Sequence, residues 1–229
     1  MILYANSCSY GVLSTGKTYV DFIGEQINTN QIINAGLAGS CNTRILRTST
    51  RDLLELKESD SDNDIVACIS LGALYRSELW DETKPAIKND GHFRSFQISS
   101  IDKNKFDPPN KLNYAKEWFK TYNDEAEITN TYFLLNLFIS FLETNNIRYL
   151  IWAGAMNYKP VDVTTPFLAT LYNTVNKNPR VLNLFDFSFS NYCSIIKGHI
   201  PYDHDQYGIY GHHSEEAHRD FAEFILPKL

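Results

Sequence analysis

Two stretches at opposite ends of the chain carry side chains that could cooperate in nucleophilic chemistry. Asn6-Ser7-Cys8-Ser9-Tyr10-Gly11 follows a short apolar run near the start, and Gly211-His212-His213-Ser214 precedes a helical pattern near the end. A serine hydroxyl is a weak nucleophile, so it needs a base within hydrogen-bond reach and donors for the developing oxyanion. Histidine is the usual base, and glycine N–H groups or an asparagine amide are the usual donors. Candidate donors and binding residues lie between the two ends, at Gly39-Ser40-Cys41-Asn42, at Gly72 with Arg76 and Glu78 following, and at Gly154 with Asn157. The bland alternatives are equally concrete. Serines after strands often form turns or cap helices, histidines before a helix often sit at the surface or cap it, and an Arg/Glu pair can be a simple ion pair.

Such side chains need a scaffold that brings distant segments together. Apolar runs rich in β-branched residues occur at residues 2–5, 31–34, 65–70, 149–153 and 181–185, each short enough to be a buried strand. Helical patterns at 18–27, 43–56 and 131–144, and a last one after His213, alternate with them, as in a parallel α/β sheet. Ser214 is placed to cap that last helix, with Glu215 and Glu216 in its positive first turn. Open parallel sheets bind ligands at the carboxyl ends of their strands, where the polar segments after the first four runs fall. Residues 81–130 have weak periodicity, scattered Pro and several aromatics, which predicts an irregular insertion, either a lid or packing over a sheet edge. A chain of 229 residues without a composition break is expected to form one domain over 1–229.

The order of these blocks resembles the SGNH or GDSL-type hydrolases, and most of all a divergent branch common in bacteriophages. In that branch a Gly-Cys-Ser-aromatic turn stands for Gly-Asp-Ser, and the second block reads Gly-Ser-x-Asn with a basic residue nearby. The matching residues here are Ser7-Cys8-Ser9-Tyr10 and Gly39-Ser40-Cys41-Asn42, with Arg44 and Arg47 following. The tail from Gly211 to Ala222 is similar to the family's closing block, with His213 in place of its proline. The resemblance implies a flavodoxin-like three-layer α/β/α sandwich with a five-stranded parallel sheet. It implies Ser9 as nucleophile and His212 as base, while sliding the frame nominates Ser7, and His213 is the second candidate for the base. The Ser9 and Gly39 N–H groups and the Asn42 side chain would hold the oxyanion, and Arg76 and Glu78 match a typical Arg-x-Glu of the branch. Two departures stand out. Ile209 occupies the usual acid position, leaving Asp205 or Asp203, a backbone carbonyl, or no third group at all (a Ser-His dyad) to orient the histidine, and Leu74 stands where the third block's asparagine would be, so Asn42 or Asn157 would compensate. The implied activity is a serine esterase or deacetylase acting through an acyl-enzyme, without a cofactor. Its substrate would be a small-molecule or carbohydrate ester such as an O-acetyl group on a polysaccharide.

Composition limits the rivals. A formal charge of −6 without a concentrated basic patch argues against nucleic acid. No apolar run approaches 18 residues and no signal peptide is legible, so the expectation is a cytoplasmic or virion-associated protein without membrane partners. Gly11-Val12-Leu13-Ser14-Thr15-Gly16-Lys17-Thr18 fits GxxxxGK[ST] and would make a phosphate-binding loop, although the first strand normally runs almost to its first glycine. Five of six histidines fall between His199 and His218 beside Asp203 and Asp205, but their spacing matches no zinc motif, so no metal is expected. Four scattered cysteines without a CxxC pair read as reduced thiols. A catalytically inactive carbohydrate-binding or virion-associated protein on the same fold is the third alternative.

Overall fold

The computed structural model describes residues 1–12, 14, 16–59, 64–80, 82, 90–91, 93–97, 109–155, 157–158, 165–201 and 212–229. Four strands form one parallel sheet: β1 (Ile2–Ser7), β2 (Gln31–Asn34), β3 (Ile65–Leu71) and β6 (Arg148–Ala153), in the order β2-β1-β3-β6. In the shared register Ile2 pairs with both Gln31 and Ile65, and Ser70 pairs with Trp152. β1 and β3 are buried along their whole length because helices cover both faces, whereas β2 is a largely exposed edge.

Alternation along the strands sorts the core into two faces. Tyr4, Ala67, Ile69, Tyr149 and Ile151 belong to one cluster with α2 (Asn42–Ser59), α4 (Asp124–Thr144) and α5 (Pro166–Asn176). Leu3, Ala5, Val66, Cys68, Leu150 and Trp152 pack on the other side with α1 (Tyr19–Gln26) and α7 (Glu215–Ile225). The result is three layers, helix on sheet on helix. Local chemistry sets the helix starts. Thr18 and Asp21 form a capping box before α1, Thr165 with Pro166 opens α5, and Ser214 Oγ accepts the Ala217 N–H at 3.4 Å. The Ser214 cap is the one read from the sequence.

The expected fifth strand at 181–185 does not form: among the described residues the sheet has four strands, and the fifth position is marked by isolated parallel bridges, Ile151 with Val181 and Ala153 with Ser188. Arg180 O and the Leu182 N–H make one rung with Ile151 at 2.9 Å each. Asn183 then breaks the run, because its Oδ1 takes the Phe185 N–H at 3.0 Å and its carbonyl accepts from Asp186 and Phe187, turning the chain out of the ladder. The described residues of the 81–130 stretch include regular elements: β5 (Phe93–Gln97) pairs antiparallel with β4 (Arg76–Trp80) just before the stretch, α3 (Pro109–Lys120) follows, and α4 begins at Asp124 instead of Thr131. Phe96 seats α3 on this pair through Tyr114, Trp118 and Phe119, with ring centroids 5.5–6.2 Å apart. After α5, a short helix α6 (Phe189–Asn191) runs into a π-turn at Tyr192–Ile196.

All four cysteines are free and buried. Burial raises the thiol pKa of Cys41 to about 11, and those of Cys68 and Cys193 to about 12. Among the described residues no helix is long and apolar enough to cross a membrane.

Candidate active site

The turn after β1 is built by opposed anchors. Asn6 faces α2, where its amide donates to Thr48 Oγ1 at 2.8 Å, Ser49 Oγ at 3.0 Å and Ile45 O at 3.1 Å. Ser7 faces the other side, is 1% exposed, and donates to Cys8 O at 2.9 Å. A Cβ on Gly11 would collide with the Ser7 hydroxyl, and one on Gly36 would approach it to 2.7 Å, so two glycines close over Ser7. Ser9 then opens a 3-10 turn, Ser9–Gly11, and its hydroxyl has no hydrogen-bond partner among the described residues. Tyr10 lies across the next element, its ring centroid 4.5 Å from that of His212 and 5.6 Å from that of Phe189.

His212 and His213 enter this region from just ahead of the Ser214 cap. Burial, aided by the Arg76 charge, lowers the His212 pKa to about 4, so its imidazole is neutral at neutral pH. Its Nδ1 is buried without a partner among the described residues, and no direct Ser9–His212 hydrogen bond is formed. His213 is fully buried edge-on to Phe189, with Nε2 at 3.5 Å from the Ser190 and Ser194 hydroxyls. Burial, His199 and His212 lower its pKa to about 4 as well. His218 is a helix-packing residue whose Nδ1 accepts the Tyr19 N–H at 3.2 Å. Asp203 and Asp205 lie outside the described residues.

The segments after β2 and β3 meet beside this pair. Gly39 takes φ +82°, with nothing within 4 Å of where a Cβ would stand, so the requirement for glycine there is conformational. Asn42 spans the next gap: Oδ1 accepts the Gly72 N–H at 2.7 Å while Nδ2 donates to Tyr158 Oη at 2.8 Å, and that hydroxyl donates to Gly72 O at 2.9 Å. The three groups close a ring that occupies most of the Asn42 amide. Asn157, next to Tyr158, is half-buried, and its Oδ1 has no partner among the described residues. Arg76 reaches Ser40 O at 3.4 Å, and its charge acts on both Tyr10 and His212. Ser9, His212, Gly39 and Arg76 therefore converge on the carboxyl end of the sheet.

Glu78 is engaged elsewhere, accepting from Arg47 at 2.8 and 3.3 Å. Arg47 also approaches Asp90 at 3.5 Å, and Arg44 holds Asp90 Oδ2 with two nitrogens at 2.7 and 3.0 Å. Arg44 further donates to Ser40 Oγ at 3.1 Å, so this clamp steadies the chain that presents Gly39. Asp90 was not legible as a partner because nothing local marks a residue that pairs across 46 positions. Tyr10 and Arg44 did carry a signal, since both stand inside the motifs quoted above.

Three described residues of the GxxxxGK[ST] segment make contacts within the fold. Thr18 caps α1, Lys17 pairs with Glu25 at the surface, and Gly16 leaves room for Glu215. No group of three His, Cys, Asp or Glu suited to a metal occurs among the described residues.

The chain matches no family model and no curated protein. Similar solved structures include a member of the lipolytic G-D-S-L family from Veillonella parvula, at 13% identity over 99% of this chain and 97% of that one, TM-score 0.46. An esterase from Pseudoalteromonas sp. shares 11% identity over 99% and 96%, TM-score 0.44. An acetyl xylan esterase shares 15% over 100% of both chains, TM-score 0.42. At these values no residue role or substrate is carried over from them.

Proposed function

We propose that the protein is a serine esterase of the SGNH type that hydrolyses a small-molecule or carbohydrate ester through an acyl-enzyme. Ser9 is the nucleophile, and His212 takes its proton and returns it to the leaving alcohol. The observation that carries this reading is the neutral, buried His212 ring, tilted 47° to the Tyr10 ring with centroids 4.5 Å apart, Tyr10 being the residue next to Ser9. Ser7 is disfavoured because two glycines seal it, and His213 because the core encloses it. Asp205 is assigned to His212 Nδ1, the Ser9 and Gly39 N–H groups to the oxyanion, and Arg76 and Asn157 to the substrate. Asn42 is read as the strut that fixes Gly72.

The test is labelling with a fluorophosphonate, located by mass spectrometry. An adduct on Ser9 that disappears in Ser9→Ala and persists in Ser7→Ala supports the assignment. No adduct on the parent protein would favour a binding protein without chemistry, the reading to which the occupied Asn42 amide lends weight.

A further inference from the structure

Beside the reacting end, a cavity of about 300 Å³ opens between the start of α2, the start of β4 and the α3–α4 pair. Small-molecule sites run from about 300 to 1,000 Å³, so this one suits a ligand of roughly one ring. Arg76 and Asn42 are on its wall. The same two side chains reach Ser40 and Gly72, and the Arg76 charge is felt by His212, so the cavity adjoins the residues assigned to catalysis.

Its lining does not read as core. Glu127, in the first turn of α4, is half-buried, has no ion-pair or hydrogen-bond partner for its carboxylate among the described residues, and has its pKa raised by burial. A partly desolvated carboxylate without donors is costly unless a ligand supplies them. Asn130 and Thr131 add amide and hydroxyl groups, and the half-buried Trp118 adds an indole. One guanidinium and one carboxylate leave the lining close to neutral, which favours an uncharged polar ligand over an anion. A sugar ring matches this set, offering hydroxyl donors around its rim and a C–H face that packs on an aromatic plane.

We propose that this cavity is a subsite for one neutral sugar ring, with Trp118 as the platform for the ring face and Glu127 and Asn130 binding its hydroxyls. As the place where the alcohol part of the ester sits, it rests on the esterase reading; as a sugar site it does not. The experiment therefore separates binding from turnover. Ser9→Ala protein is titrated with the methyl glycosides of xylose, glucose and N-acetylglucosamine while the indole N–H NMR signals of Trp80, Trp118 and Trp152 are followed, with Trp118→Phe identifying the middle one.

The expected result is a saturable shift of the Trp118 signal, little change at the buried Trp152, and binding weakened about tenfold or more in the near-isosteric Glu127→Gln. An unmoved Trp118 signal with all three glycosides overturns the proposal, as does unchanged affinity in Glu127→Gln. Glycoside binding in a protein that hydrolyses no ester would remove the esterase reading and leave the sugar site standing. Ester hydrolysis without glycoside binding would do the reverse.

Discussion

Two buried polar regions lie on either side of the Gly39 segment, and they treat their polar atoms in opposite ways. In the Arg44–Asp90–Arg47–Glu78 clamp every charge meets an opposite one, and Arg47 also stacks 4.1 Å from the Phe93 ring centroid. In the Ser9–His212 region His212 Nδ1 and Asn157 Oδ1 are buried without partners among the described residues. Buried polar groups are normally satisfied, so saturation marks a structural device and vacancy marks a place where another molecule can complete the bonding. The clamp gives up reactivity for rigidity. The serine end keeps its groups available, and the clamp's bond from Arg44 to Ser40 is what joins the two.

The largest effect that would sharpen this contrast is on turnover. Ser9→Ala should lower ester hydrolysis by about 10⁴-fold or more while leaving the urea midpoint unchanged, since the hydroxyl supports nothing in the fold. A matching loss of stability would break the comparison.

The next effect is on stability alone. Asp90→Ala strands Arg44, whose side chain is 7% exposed, and should cost about 3–5 kcal/mol by chemical denaturation. Glu78→Ala removes the nearer partner of Arg47, whose side chain is 31% exposed and keeps Asp90 at 3.5 Å, and should cost less, about 1–2 kcal/mol. Equal losses from the two variants would mean that the clamp is not graded by burial.

A smaller effect comes from pH. His212 and His213 have folded pKa values lowered to about 4, below the ordinary 6.5. Between these values the unfolded chain binds protons that the folded chain refuses, so stability falls as pH drops from about 6.5 toward 4 and is level above about 7. The slope is at most about 1.4 kcal/mol per pH unit for each histidine. Urea midpoints across this range should flatten in His213→Gln, and an unchanged slope would mean that the pair is not held neutral by burial.

Much of this architecture was legible because burial writes itself into residue type. β1, β2, β3 and β6 are runs that helices cover on one or both faces, and they lie within two residues of the boundaries their β-branched content suggests. The fifth run failed for a local reason, since Asn183 offers the backbone a turn that competes with the ladder. α5 was missed although Thr165-Pro166 is a helix start in plain sight, and the β4–β5 pair was missed because its partners are joined across a long connection. For the site, spacing nominated Ser9, His212 and Arg76, and the structure gathers them at one end of the sheet. It could not nominate the partners of Glu78 or Asn42, because those pairings depend on how separate elements pack.

The four buried thiols turn the protein into its own reporter of opening. Cys8 adjoins Ser9, Cys41 sits at the head of α2 beside the clamp, Cys68 is in the central strand and Cys193 is in the π-turn. A thiol-reactive reagent can reach each one only when its surroundings part, so the order in which the four are modified ranks how often the serine turn, the clamp, the sheet and the π-turn breathe.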